Sequence, residues 1–176
     1  MPTQAPASKE TAELNLTVQG RLHEGGFFDL LGYQLAQARI FATDIYDHHV
    51  GKPTGLRRVE LTILQLVKTN PDVTPTRLAR ALAITTPGIT GWLDKLEQRG
   101  LLLRQKSAKD GRAQHLRLTQ TGNTLVEETL EQLLVGETRA LGHLSPGERL
   151  MLLELLRKVS HARRPATDQL PSLPNG

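Results

Sequence analysis

The chain has 176 residues, of which 38% are hydrophobic and 23% charged, and no cysteine. That balance fits one domain with a sizeable core, and it excludes a disordered chain, a disulfide scaffold, a thiolate zinc site and a cysteine nucleophile. No apolar run nears the roughly 18 residues needed to cross a bilayer, and the opening stretch has no apolar signal core, so the sequence predicts a cytoplasmic protein. The net charge of +4 is unevenly spread: between Thr74 and Arg117 nine basic residues face three acids, a local excess of +6 that leaves −2 for the remainder. Such a concentration is the footprint of a face that binds a polyanion. With aromatic residues at 3%, the stacking platforms of single-strand and RNA binders are not available.

Residues 1–24 and 163–176 are polar, carry prolines and show no hydrophobic period, so they read as a flexible N-terminal arm and C-terminal tail around one domain over 25–162. Phe27, Leu31, Leu35, Ala38, Ala42, Ile45 and His49 recur at steps of three and four, which predicts a helix over about 27–49. A loop at Gly51-Lys52-Pro53-Thr54-Gly55 is expected to end it. A second helix is predicted from Arg57 to Lys68, with Val59, Ile63, Leu66 and Val67 inward, stopping at Asn70-Pro71.

Thr74-Pro75 and Thr86-Pro87 are start signals for two short helices, because threonine caps and proline's missing N–H is not needed in a first turn. The first turns Leu78, Ala79 and Leu82 inward; the second turns in Ile89, Leu93 and Leu96 and ends at Gly100, a residue suited to the left-handed position. Their close spacing is that of a helix-turn-helix.

The period then alternates. Leu101 to Gln105 and His115 to Leu118 read as strands joined through a basic turn containing Asp110-Gly111, a strong hairpin signal. A basic hairpin after a helix-turn-helix is a wing. Thr119 caps a long helix over about 120–141, and Ser145-Pro146-Gly147-Glu148 forms a capping box for a last one over 146–161, with Leu150, Leu153, Leu156 and Val159 apolar. The expected fold is mainly α with a small β-wing: six helices, a two- or three-stranded hairpin, and a winged helix-turn-helix over about 56–118.

This order resembles the MarR family of winged helix-turn-helix transcriptional regulators. Asp110-Gly111-Arg112-Ala113-Gln114-His115-Leu116-Arg117-Leu118-Thr119 is similar to the family's wing pattern, and Ile89 to Glu97 followed by Gly100-Leu101 to its recognition helix and the turn beyond. The resemblance implies an intertwined homodimer on a pseudo-palindromic operator in double-stranded DNA, with the first, fifth and sixth helices interlocked. It also implies repression relieved by a small organic effector. Half-sites would lie roughly 34 to 36 Å apart.

On that basis Thr85, Thr86, Thr90 and Lys95 are the candidate contacts from the recognition helix, with Lys106, Lys109 and Arg112 from the wing. Arg112 resembles the family's minor-groove arginine, and Asp110 orients it. Two of these threonines also suit plain capping, and Trp92 suits packing between helix and wing. Gly91 stands where many relatives carry an arginine.

Arg39, Ala42, Tyr46 and His49 share a second stripe on the first helix, a candidate seat for an aromatic carboxylate. The same positions suit a solvent-facing arginine and a histidine capping a helix end. No nucleophile elbow, phosphate loop or metalloprotease pair occurs, so no enzyme, cofactor or catalytic residue is expected. Two other readings are a dimeric small-molecule-binding module whose winged domain docks protein, and a metal-responsive regulator, although the six histidines are scattered.

Overall fold

The structure, a computed structural model, describes residues 15–106 and 114–162. The described chain begins in a turn: the Thr17 N–H donates to the Leu22 carbonyl at 2.9 Å and the Glu24 N–H to that of Asn15 at 3.0 Å, so residues 15–24 are folded back rather than running on as a free arm. A 3-10 turn, Gly25–Phe27, precedes α1, Leu31–Tyr46.

The first helix therefore begins later than its apolar stripe predicts, and it also ends differently. It widens into a π turn, Asp47–Gly51, and closes with the helical turn Lys52–Thr54, so the expected loop at residues 51–55 is helical up to Gly55. Pro53 stands in the first turn of that closing segment, where its missing N–H is not required, and only Gly55 takes a positive φ, +66°.

The helix-turn-helix consists of α2 (Arg58–Thr69), α3 (Pro75–Leu82) and α4 (Thr86–Gln98). Thr74 caps α3 by accepting the Arg77 N–H at 3.3 Å. For α4 the cap is Thr85, one residue before the expected Thr86: its hydroxyl accepts the Gly88 N–H at 3.3 Å, which puts Pro87 second in the helix and still clear of any lost hydrogen bond. Gly100 takes φ +66° beyond the end of α4.

Strands β1 (Leu102–Lys106) and β2 (Gln114–Leu118) pair antiparallel, Leu102 opposite Leu118 and Lys106 opposite Gln114. The hairpin has two strands, and one further bond, from the Leu116 N–H to the Val73 carbonyl at 3.0 Å, ties it to the turn before α3. Helices α5 (Gln120–Ala140) and α6 (Pro146–His161) follow the predicted caps: Thr119 accepts the Gly122 N–H at 2.9 Å, and the Ser145 hydroxyl and Glu148 carboxylate bond each other's backbone N–H groups. No described helix is long and apolar enough to cross a membrane.

One core sits inside the winged lobe. Ile63 and Leu64 of α2, Ile89 and Leu96 of α4, and Leu102 and Leu116 of the hairpin are fully buried. Each contributes on the order of 2 kcal/mol of apolar burial. Val126 on α5 joins the same cluster, so the root of that helix belongs to the lobe.

Away from the lobe the pattern inverts. Leu31, Ile40 and Phe41 on α1 and Leu134 and Val135 on α5 are exposed, and α6 buries no residue, although Leu150, Leu153, Leu156 and Val159 give it the expected apolar side. A contiguous apolar surface of this kind marks a protein–protein contact.

Candidate nucleic-acid interface

Burial fixes how α4 is rolled. With Ile89, Leu93 and Leu96 facing the core, Thr86, Thr90, Gly91 and Lys95 are exposed on the opposite side. Thr85 is spent on the cap, and the Thr90 hydroxyl donates to the Thr86 carbonyl at 3.0 Å, which leaves its oxygen lone pairs facing outward as acceptors. The Lys95 ammonium lies 4.9 Å from the centroid of the half-buried Trp92 ring, and the Arg57 guanidinium lies 5.5 Å from the same centroid. Trp92 is thus cushioned by two cations of different helices, one of them the lysine expected to reach DNA.

Several of the basic residues behind the local excess are tied internally. Arg104 on β1 forks to Glu97 at 3.1 Å and to Asp94, both on α4, which locks helix to wing. Arg99 donates to the Thr54 carbonyl at 3.0 Å and lies 3.6 Å from Glu60, a carboxylate that also accepts the Arg57 N–H at 2.8 Å. Arg117 on β2 pairs with Asp72 at 2.6 Å, and the His115 ring donates to the Asp72 carbonyl at 2.7 Å, so one residue before α3 holds the base of the wing twice. Arg77, Arg80 and Lys95 form no ion pair among the described residues.

At the wing, β1 and β2 converge on a tip that lies outside the described residues, with Lys109, Asp110, Arg112 and the side chain of Lys106.

The three residues expected to hold an effector do not come together. Tyr46 turns toward α2 and donates its hydroxyl to the Leu56 carbonyl at 3.1 Å. His49 packs on α5, where a Cβ added at Gly136 would stand 2.4 Å from its Cδ2, and Arg39 is exposed. The intervening π turn is the cause, since its wider pitch carries His49 off the stripe that an α-helix would continue.

Tyr46 instead floors a cleft of about 410 Å³ between the end of α1 and the start of α2, with Lys52, Arg57 and Arg58 as cationic walls, Leu56 as an apolar one and Asp47 at the rim. The Arg58 guanidinium stacks 5.4 Å from the Tyr46 centroid. Burial, with help from the Glu60 charge, pushes the Tyr46 phenol up to about 12, so it stays neutral.

Lys52, Arg57 and Arg58 fall outside the basic segment counted from Thr74. A signal was present all the same: paired arginines at a helix N-terminus oppose its dipole, so their placement calls for another reason. Among the described residues no group of three His, Asp or Glu side chains is arranged to hold a metal ion.

The sequence pattern of the MarR family matches residues 56–113. A transcriptional repressor, CouR, solved bound to a 23-mer DNA duplex, is 30% identical, with a TM-score of 0.73 over 79% of this chain and 98% of that one. BpsR of Bordetella bronchiseptica, whose DNA binding is regulated by 6-hydroxynicotinic acid, is 26% identical with a TM-score of 0.69 over 78% and 97% of the two chains. A probable transcriptional regulator from Pseudomonas aeruginosa is also 26% identical, with a TM-score of 0.67 over 74% and 97%.

Proposed function

The chain belongs to the MarR family, and from that premise we propose that it is a DNA-binding transcriptional repressor that acts as a homodimer and is released by a small organic acid. The observation that carries this reading is α4 itself. Its outer side, Thr86, Thr90 and Lys95, is exposed, while Arg104 and Arg99 clamp it to the wing and to α2, in a chain 30% identical to a repressor seen on duplex DNA. A clamped helix enters a major groove without further ordering, and that is what sequence readout requires.

Lys95 supplies a mobile cation from its seat on Trp92, and Thr86 and Thr90 supply hydroxyls near the positive end of the helix. Lys106, Lys109 and Arg112 on the wing complete the contact, with Arg112 in the minor groove and Asp110 orienting it. Such an arginine reads groove width rather than base identity. The exposed apolar sides of α1, α5 and α6 support a twofold dimer, and two lobes one helical turn apart suit a pseudo-palindromic site. The regulation of BpsR by a heteroaromatic acid supports an effector of that chemistry here.

Fluorescence anisotropy of the full chain on duplexes enriched from genomic fragments tests the proposal. Six or more phosphate contacts give a log–log salt slope of about −5 or steeper. Affinity that barely responds to salt, or that fails to distinguish enriched from random duplexes, would overturn it.

A further inference from the structure

We infer that the cleft between the end of α1 and the start of α2 is the seat of a small planar carboxylate, and that its occupant loosens the recognition helix by drawing Arg57 away from Trp92. This rests on the reading of the chain as a ligand-released repressor and names the site and the route.

Four observations converge on it. The volume, about 410 Å³, lies in the range of roughly 300–1,000 Å³ that holds small organic ligands. Its walls divide by chemistry: Leu56 and the Tyr46 ring offer an apolar surface, Lys52, Arg57 and Arg58 a cationic one. Asp47 alone opposes an anion, and its carboxylate is folded over its own turn, where a Cβ at Gly51 would lie 3.1 Å from Asp47 Oδ1.

Arg58 is the most specific of the set. Stacked on Tyr46, it has one terminal nitrogen, Nη2, shut off from solvent with no hydrogen-bond acceptor among the described residues. A guanidinium N–H held in that way gains from any acceptor brought to it, and a carboxylate matches the guanidinium fork with two parallel bonds. Tyr46 cannot compete for the anion, because its hydroxyl is donated to Leu56.

The fourth observation supplies the coupling. Arg57 lines the cleft and also lies over Trp92 of α4, the ring that Lys95 covers as well. A charge-assisted bond to a carboxylate in a partly enclosed cleft is stronger than an exposed contact between a cation and a ring. An acid in the cleft therefore recruits Arg57 and leaves Trp92 and Lys95 without their support on that side. Linkage makes the effect reciprocal, so duplex DNA weakens acid binding by the same factor by which the acid weakens duplex binding.

Trp92 is the sole tryptophan, and its emission reports the Arg57 contact directly. Benzoate, 4-hydroxybenzoate and cinnamate are titrated calorimetrically into the full-length chain and into Arg58→Gln, with tryptophan emission followed for benzoate and duplex affinity measured with and without each acid. At least one acid should bind the parent and lower its duplex affinity, and Arg58→Gln should weaken that acid by about tenfold or more. The same variant should hold duplex normally without acid, which also shows that it folds. Arg57→Gln should start with altered emission and lose most of the acid-induced change.

If the acids release duplex equally from parent and Arg58→Gln, the regulator stands and this cleft is not its receptor. Should Arg58→Gln weaken duplex binding in acid-free buffer and leave acid binding alone, the cleft seats a backbone phosphate and the proposal falls. A parent that binds duplex but none of the acids also overturns it. A parent that binds no duplex at all sinks the underlying reading instead.

Discussion

Gly122 is the narrowest point between the winged lobe and the long helices, and replacing it should separate packing from propensity. It lies in the first turn of α5, buried, against the backbone at the root of the wing. A Cβ built there would stand 2.1 Å from the Leu101 carbonyl oxygen and 3.0 Å from its carbon. Backbone cannot swing aside as a side chain does, and the same Leu101 oxygen accepts the Thr119 N–H at 3.2 Å, while Thr119 donates to the Gly100 carbonyl at 2.7 Å and caps α5. Relief of the clash must therefore shift α5 by about an ångström or break that cap.

Overpacking of this kind costs about 1–3 kcal/mol or more, and losing the cap adds about 1 kcal/mol. Alanine's better helix propensity returns only about 1 kcal/mol. The net expectation for Gly122→Ala is a loss of at least about 2 kcal/mol, or roughly 4 °C or more in Tm for a chain of this size. Gly91→Ala is the matched control: it is helical and exposed, with nothing within 4 Å of its Cβ, so it should gain about 0.5–1 kcal/mol. Both are read by urea unfolding at one protomer concentration, because dimerisation makes stability depend on concentration. If both variants gain stability alike, the close approach of α5 to Leu101 is not a constraint and the reasoning fails.

Arg112→Ala should weaken operator binding, with the larger loss where an A-tract narrows the minor groove, and equal affinity to the parent on every duplex would remove the wing from the interface. Leu153→Glu places a charge on the apolar side of α6 and should shift the dimer toward monomer by tenfold or more in sedimentation; an unchanged dimer would place the interface elsewhere. Tyr46 has its folded pKa raised from 10.0 to about 12, so the stability it supports is fully present below pH 10 and is lost as pH climbs through about 12. That loss is on the order of 3 kcal/mol. It should coincide with a late rise in tyrosinate absorbance that is missing in Tyr46→Phe, and a single rise near the ordinary phenol value would contradict the burial argument.

Local signals made most of the fold legible. Thr74-Pro75, Thr119 and the Ser145–Glu148 box mark helix starts because each satisfies its own orphan N–H groups within four residues, and the structure keeps all three. The end of α1 was not legible in this way, since Gly51 and Pro53 signal a break that tertiary packing overrides: the π turn brings His49 onto Gly136 and Val50 into the core. The cap of α4 slipped by one residue because Thr85 and Thr86 are chemically alike, and helix packing selects between them. Charge counting found the basic face but could not see that Arg99, Arg104 and Arg117 are consumed by Glu60, Asp94, Glu97 and Asp72, since none of those pairs lies within one turn of a helix.

What the sequence determined by itself is what short range decides: element type, order, capping and the apolar stripes, all set by periods of two and 3.6 residues along one chain. Which cations remain free, the meeting of Arg57 with Trp92, and the cleft that Arg58 lines were decided only by the tertiary structure. Those facts depend on residues tens of positions apart being carried together, and no local energy term along the chain specifies that approach.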